Sequence, residues 1–286
     1  MAASMGMDDR SPAARMLREC AASTERYEVL AVHQGSLDTL RSHVYLNHDL
    51  YGEADGEMTI DYFFWVLRSA ERTVLVDTGM SESGARSRGR RFERTTSDAL
   101  ADLGIRPEDV ERVILTHAHY DHAGGLRELP GVRITASVAE LAFWRDARSQ
   151  RSLLRSVVDD DDLAVIDAAE AAGIVDAIDE ASVIAPGIAA ILAPGHTPGE
   201  LAVLVRTRKG VVVLAGDATH FDEELARDMP FRHQTDLLAM YDSLAVLREL
   251  SDDPAVSEVV AGHDGAVRAR HRSLPALDHV TVIAER

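Results

Sequence analysis

Residues 110–115 read as an apolar strand that runs without a break into Thr116-His117-Ala118-His119-Tyr120-Asp121-His122. Few folds accommodate such a segment. Alternate residues on an extended segment point the same way, so His117 and His119 can share one metal ion. The turn that follows swings Asp121 and His122 toward a second position a few ångströms away. Gly124-Gly125 comes next and leaves room for backbone to approach the site.

Three further candidates follow apolar strands and are flanked by glycine: His196 in Gly195-His196-Thr197-Pro198-Gly199, Asp217 after Gly216, and His263 after Gly262. Strands are expected at 62–67, 73–76, 110–115, 132–136, 183–184, 188–192, 202–206, 211–214 and 258–261. Helices are expected at 97–103, from 137 to about 146, and at 235–250. Strands come first as a hairpin and then alternate with helices, and the second half repeats the pattern. That order predicts an α/β fold, a four-layer αβ/βα sandwich of two mixed β-sheets with outer helices. Loops at the strand ends would converge on one edge of such a sandwich, carrying the His and Asp residues together.

Composition narrows the setting. The 286 residues carry 30 basic and 48 acidic side chains, a formal net charge of −18, which disfavours nucleic acid as a partner. Apolar runs are far shorter than the roughly 20 residues needed to cross a bilayer, so no membrane partner is expected. Cys20 is the only cysteine, which rules out an intrachain disulfide and a Cys-rich zinc site. The N-terminus is polar and lacks the apolar core of a secretory signal, so a soluble, cytoplasmic protein is expected. One domain is expected over 1–286, with residues 1–25 a loose arm or peripheral helix and 147–180 a helical insertion near the pocket. The acid run 159–162 reads as a solvated face or a helix N-terminus.

The order His-x-His-x-Asp-His, Gly-His-Thr-Pro-Gly, Gly-Asp, Gly-His resembles the metallo-β-lactamase-fold hydrolase superfamily over about residues 60–270. The resemblance implies that fold and two metal ions. By position, His117, His119 and His196 would bind the first, Asp121, His122 and His263 the second, and Asp217 would bridge them. Imidazole and carboxylate donors without thiolate suit Zn²⁺, with Fe, Mn or Co as alternatives. Asp77 matches an acidic position beneath the metal loop, where it would hydrogen-bond a ligand histidine. Asp264 is a weaker candidate for the same kind of role, and Thr116 is read as capping its strand.

Within the superfamily, Ala118 stands where the diiron flavoprotein oxidoreductases carry an acidic ligand, which disfavours redox chemistry. Residues 61–67 and Gly216-Asp217-Ala218-Thr219-His220 resemble the N-acyl homoserine lactonase-like family. In quorum-quenching members a tyrosine three residues after the bridging aspartate contacts the substrate carbonyl; here that residue is His220. The expected substrate is a small-molecule lactone, opened by hydroxide held between the metals. His220 and one metal would stabilise the oxyanion, and Asp121 would carry the proton to the leaving alkoxide. The alternative is a thioester and an enzyme of the hydroxyacylglutathione-hydrolase type, for which Arg268, Arg270 and Arg272 would imitate the basic residues that hold glutathione. A non-catalytic metal-binding regulator on the same fold is the third reading. The other histidines are read as bystanders: His233, His271 and His279 at the surface or core edge, and His33, His43 and His48 in the N-terminal region, where His43 or His48 would sit nearest the pocket. Phe143, Phe221 and Phe231 are candidates for an acyl pocket.

Overall fold

The computed structural model describes residues 10–286. The chain lays down β1 (Glu28–Leu40), β2 (Glu57–Arg68), β3 (Thr73–Val76), β4 (Arg91–Phe92), β5 (Val110–Ile114), β6 (Arg133–Ser137) and β7 (Val175–Ile178). It then forms β8 (Ser182–Ala185), β9 (Ile188–Leu192), β10 (Leu201–Arg206), β11 (Val211–Leu214) and β12 (Val256–Val260), and returns with β13 (Arg272–Leu274) and β14 (Leu277–Ala284). One sheet runs β13-β14-β1-β2-β3-β5-β6-β7, with β4 paired to β1; the other runs β12-β11-β10-β9-β8. Both are mixed, since β3-β5-β6-β7 and β11-β12 pair in parallel and the other neighbours are antiparallel.

Three apolar layers separate four layers of secondary structure. Phe63, Trp65, Leu67 and Val76 of the first sheet meet Leu201, Val203, Val212 and Leu214 of the second. The alternate residues face outward onto helices. Phe64 and Val66 pack in a cluster with Ile166 and Ala169, whereas Ala202, Leu204 and Val213 pack with Leu17, Leu247 and Leu250. Strands buried on both faces read as continuous apolar runs, which is why 211–214 stands out in the sequence.

The N-terminal segment is more firmly held than its sequence suggests. Ser11 caps the helix Pro12–Ala22 by accepting from Ala14 N–H, and Ala13, Met16, Leu17 and Cys20 are buried against the second sheet. The part of the expected arm at residues 1–9 lies outside the described residues. The 147–180 segment is not wholly helical: after the helix Asp160–Ala171, β7 extends the first sheet in parallel with β6. The acid run does start that helix, but Asp162 is buried and ion-paired to Arg127 at 2.7 Å, and Asp159 pairs with Arg88 at 2.8 Å.

Two neighbouring strands of the first sheet have no clear sequence signal. β1 carries buried polar residues at its bulge between His33 and Gly35, where Gln34 accepts from Met80 N–H and donates to Thr96 Oγ1. β14, from the chain's C-terminal segment, pairs with it and carries β13 on its other side.

Candidate metal centre

The strand ends bring the seven candidates to one edge of the sandwich. His117 and His119 leave β5, and Asp121 and His122 lie on the turn of helix beyond it. His196 sits in the loop between β9 and β10, Asp217 follows β11, and His263 follows β12. All seven are buried, with Asp121 retaining 8% exposure. Glycine is required where backbone comes close. A Cβ at Gly262 would lie 2.6 Å from Gly216 O and 2.9 Å from Asp217 Oδ1.

The Asp217 carboxylate divides the cluster. Its Oδ2 lies 3.3 Å from His196 Nε2 and 3.7 Å from His117 Nε2, whereas its Oδ1 lies 3.3 Å from His122 Nε2 and 3.0 Å from His263 Nε2. His119 Nδ1 is 2.9 Å from His196 Nε2, and Asp121 Oδ2 is 3.9 Å from His263 Nε2. Donor atoms of His117, His119, His196 and Asp217 lie within 4.8 Å of one another, as do those of Asp121, His122 and His263.

Four of the imidazoles are held from behind by a group that takes the other nitrogen. His122 Nδ1 donates to Asp77 Oδ2 at 2.7 Å, and Asp77 also accepts from Thr116 N–H and Oγ1–H, both at 2.8 Å. Thr116 therefore tethers the metal loop as well as ending its strand. His196 Nδ1 donates to His233 O at 2.8 Å, and His263 Nδ1 to Asp61 O at 2.7 Å. His117 Nδ1 lies 3.1 Å from Glu200 Oε2. These contacts fix the tautomers and turn the free nitrogens inward.

Inside the cluster, His117 Nε2, His122 Nε2, His220 Nε2 and Asp217 Oδ1 are buried without a hydrogen-bond partner. Burial pushes the His117, His119 and His196 imidazoles well below their ordinary value, so they are neutral donors at physiological pH. Burial opposes charge on Asp217, but His220, His263 and His122 hold its carboxyl well below the usual range. Orphaned nitrogens facing an ionised carboxylate fit divalent cations, whose charge would satisfy both.

His220 joins this cluster as an eighth side chain. Its Nε2 is 3.0 Å from Asp217 Oδ2, its ring stacks on Phe231 at 3.7 Å, and its Nδ1 lies 3.4 Å from Glu224 Oε1. Burial lowers its pKa, but Asp217 and Glu224 outweigh that and lift it to about 9. Backbone pairing holds it beside His263, whose N–H donates to His220 O at 2.9 Å.

Three buried glutamates carry the support and were not singled out in the sequence. Glu140 accepts from Ala118 N–H at 2.9 Å, Trp144 Nε1–H at 2.6 Å and Thr197 Oγ1–H at 2.6 Å, joining the loops of His117, His119 and His196. Glu200 accepts from Asp217 N–H at 2.9 Å while facing His117. Glu224 accepts from His220, Phe221 and Phe231 N–H groups. Glu140 alone carries a sequence signal, a lone acid among apolar neighbours in Val138-Ala139-Glu140-Leu141, whereas Glu224 is hidden in the acid run Asp222-Glu223-Glu224.

Other expectations change. His33 is buried behind the centre, its Nε2 2.7 Å from Asp61 Oδ1. His233 lines the cavity beside His119 and His196 together with Leu46, a place expected for His43 or His48. Asp264 accepts from Asp222 and Ala266 N–H groups, so it shapes a turn and orients no cluster histidine. Phe221 packs in the core against Tyr45, Phe231 backs His220, and Phe143 lines an open groove. His271 pairs with Glu258 at 3.0 Å, and His279 faces Asp102 at 3.3 Å. Arg270 and Arg272 pair with Asp222, Glu258 and Glu285 and line a separate cavity that contains none of the cluster residues. Arg268 donates to Asp278 O. The basic trio thus offers no glutathione site at the centre. Among the described residues, no helix is long and apolar enough to cross a membrane.

Comparison with known proteins agrees with this geometry. The family model described as the metallo-beta-lactamase superfamily matches residues 62–263. An N-acyl homoserine lactonase of Bacillus cereus is 27% identical over 229 residues, covering 72% of this chain and 82% of its own. A metallo-beta-lactamase domain-containing protein 1 of Xenopus laevis is 31% identical over 170 residues, 59% of this chain and 56% of its own. Among solved structures, a quorum-quenching N-acyl homoserine lactone lactonase superposes with a TM-score of 0.71 at 21% identity, covering 87% of this chain and 97% of its own. AidC, a dizinc quorum-quenching lactonase solved with its product, gives 0.65 at 21% identity over 85% of this chain and 91% of its own.

Proposed function

The chain belongs to the metallo-beta-lactamase superfamily, and from that premise we propose that it is a dinuclear metal-dependent hydrolase that opens lactones. The observation that carries this reading is the Asp217 carboxylate, whose two oxygens face two separate sets of inward-turned nitrogens. His117, His119 and His196 would hold one ion, Asp121, His122 and His263 the other, and Asp217 both. The all-N/O donor set suits Zn²⁺. Bound there, two divalent ions supply Lewis acidity toward a carbonyl oxygen and acidify water at neutral pH.

The protein's own groups then divide the work. Asp121 is the least enclosed carboxylate of the set, and its role is to take the proton of the attacking water and deliver it to the leaving alkoxide. His220 turns Nε2 into the centre, 3.0 Å from Asp217 Oδ2, and an N–H there would donate to the carbonyl oxygen as negative charge develops. Phe231 stacked on that ring fixes its plane, so the donor needs little reorganisation. The names of the relatives, which are lactonases, point the same way.

The test is a panel of lactones, thioesters and β-lactams with zinc-reconstituted protein. Lactones should be hydrolysed with kcat/KM at least about 100-fold above the other two classes. Preferential turnover of thioesters would replace this reading with the thioesterase one.

A further inference from the structure

A cavity of about 220 Å³ opens onto the metal centre, lined by His119, His196, Trp144, Arg232 and His233. A larger one of about 700 Å³ carries Phe143 and Arg151. The two share Leu153, Leu154, Gln234 and Thr235, so they form one groove leading outward from the centre. Leu46, Val157, Leu153 and Leu154 give it an apolar side against which an acyl chain can lie.

The charges along this groove run against the rest of the molecule. The chain has a net charge of −18, and most of its guanidinium groups sit in ion pairs such as Arg41–Glu223, Arg112–Asp176 and Arg145–Asp167. Arg232 and Arg151 are exposed and have no carboxylate partner among the described residues. The acids that line the groove are occupied elsewhere. Asp236 caps the helix Leu237–Asp252 by accepting from Leu238 and Ala239 N–H groups, and Asp146 is held by Arg148 at 2.8 Å. Arg232 lines the cavity next to His233.

We propose that this groove takes acyl substrates bearing a carboxylate at the end remote from the scissile carbonyl, with Arg232 as the group that binds it. The idea deepens the lactonase reading by naming the class of acyl group, and it rests on that reading. A guanidinium offers a planar pair of donors matched to a carboxylate, and one with no internal partner gives up no existing ion pair to bind it. Arg151, in the outer part of the groove, serves longer chains. The carboxylate released by hydrolysis forms at the metal centre and is a separate group from the one read here.

Two measurements decide it. The first compares two lactones with the same acyl chain, one ending in a methyl group and one in a carboxylate, on wild-type and R232Q holoenzyme. Wild type should favour the carboxylated lactone by about tenfold in kcat/KM, chiefly through KM, with the preference shrinking in about 0.5 M salt. R232Q should erase that ratio. Equal loss for both lactones, or a wild-type preference for the neutral one, overturns the proposal. The second is calorimetric binding of adipate and of monomethyl adipate to the holoprotein, which needs no turnover. Adipate should bind wild type about tenfold tighter, and R232Q should lose the difference. If neither lactone is hydrolysed, the lactonase reading fails, and the binding ratio still decides whether the anion site exists.

Discussion

Replacing Glu140 with Gln is the sharpest test of how the metal loop is held. Glu140 is 1% exposed, and four donors converge on it: the Ala118, Gly199 and Trp144 N–H groups and the Thr197 hydroxyl. Gln has one acceptor oxygen, so its NH₂ must face one pair of donors. Turned toward Ala118 and Trp144 it meets two N–H groups that cannot accept. Turned toward Thr197 it meets a hydroxyl that can rotate to accept, leaving the Gly199 N–H unpaired. The second arrangement orphans one buried donor and weakens the remaining charge-assisted bonds, a loss of about 4 kcal/mol. Burial raises the Glu140 pKa even with these donors present, so removing its charge offsets part of that loss. A net destabilisation of about 2–3 kcal/mol remains, which for a chain of this size is a fall in Tm of about 4–12 °C. Because Ala118 lies between His117 and His119, and Thr197 next to His196, metal affinity should fall about 10- to 100-fold with it. Thermal unfolding with and without zinc, together with competitive chelator titration, measures both. A variant with Tm within about 2 °C of wild type and undiminished zinc affinity would refute this account of the support.

Asp121→Asn should keep most of the bound metal and lower kcat by about 10²–10⁴-fold, measured by metal analysis beside steady-state kinetics; unchanged turnover removes Asp121 from proton transfer. His220→Phe should lower kcat/KM by about 100-fold with metal content intact, and loss of one ion instead would make His220 a ligand. The Glu223 carboxyl is held down to about 2, first by the hydrogen bond from Arg41 against the opposing effect of burial, with Tyr45 and Arg227 adding to it. A lowered folded-state pKa means that its contribution is complete above the unfolded value of about 4.3 and is lost as pH falls toward 2. Urea unfolding between pH 6 and 3 should therefore show a shallower acid loss in Glu223→Gln than in wild type, and parallel curves would contradict the assignment.

The candidate ligands were legible because each combines two local signals, an apolar strand and a glycine or second candidate directly after it. The sandwich was legible for the same reason: strands such as β10 and β11 are apolar on both faces. What escaped notice depends on distant partners. β1 hides because His33, Gln34 and Ser36 are polar yet buried, satisfied by groups such as Asp61, Met80 and Thr96 that lie far along the chain. Glu140 reads locally as an acid in a helix's first turn, whereas its Thr197 partner is 57 residues away. His233 and Arg232 carry no motif at all and reach the cavity only because the loop before the helix Leu237–Asp252 folds over His196.

The most direct test of the central claim is the metal content of the purified chain after zinc reconstitution and desalting, taken with its lactone turnover. Two ions per chain are expected, with Asp217→Ala losing metal and activity together because its carboxylate faces both sets of nitrogens. A chain that hydrolyses lactones at the full rate with no bound metal, or that binds none after reconstitution, would contradict the account.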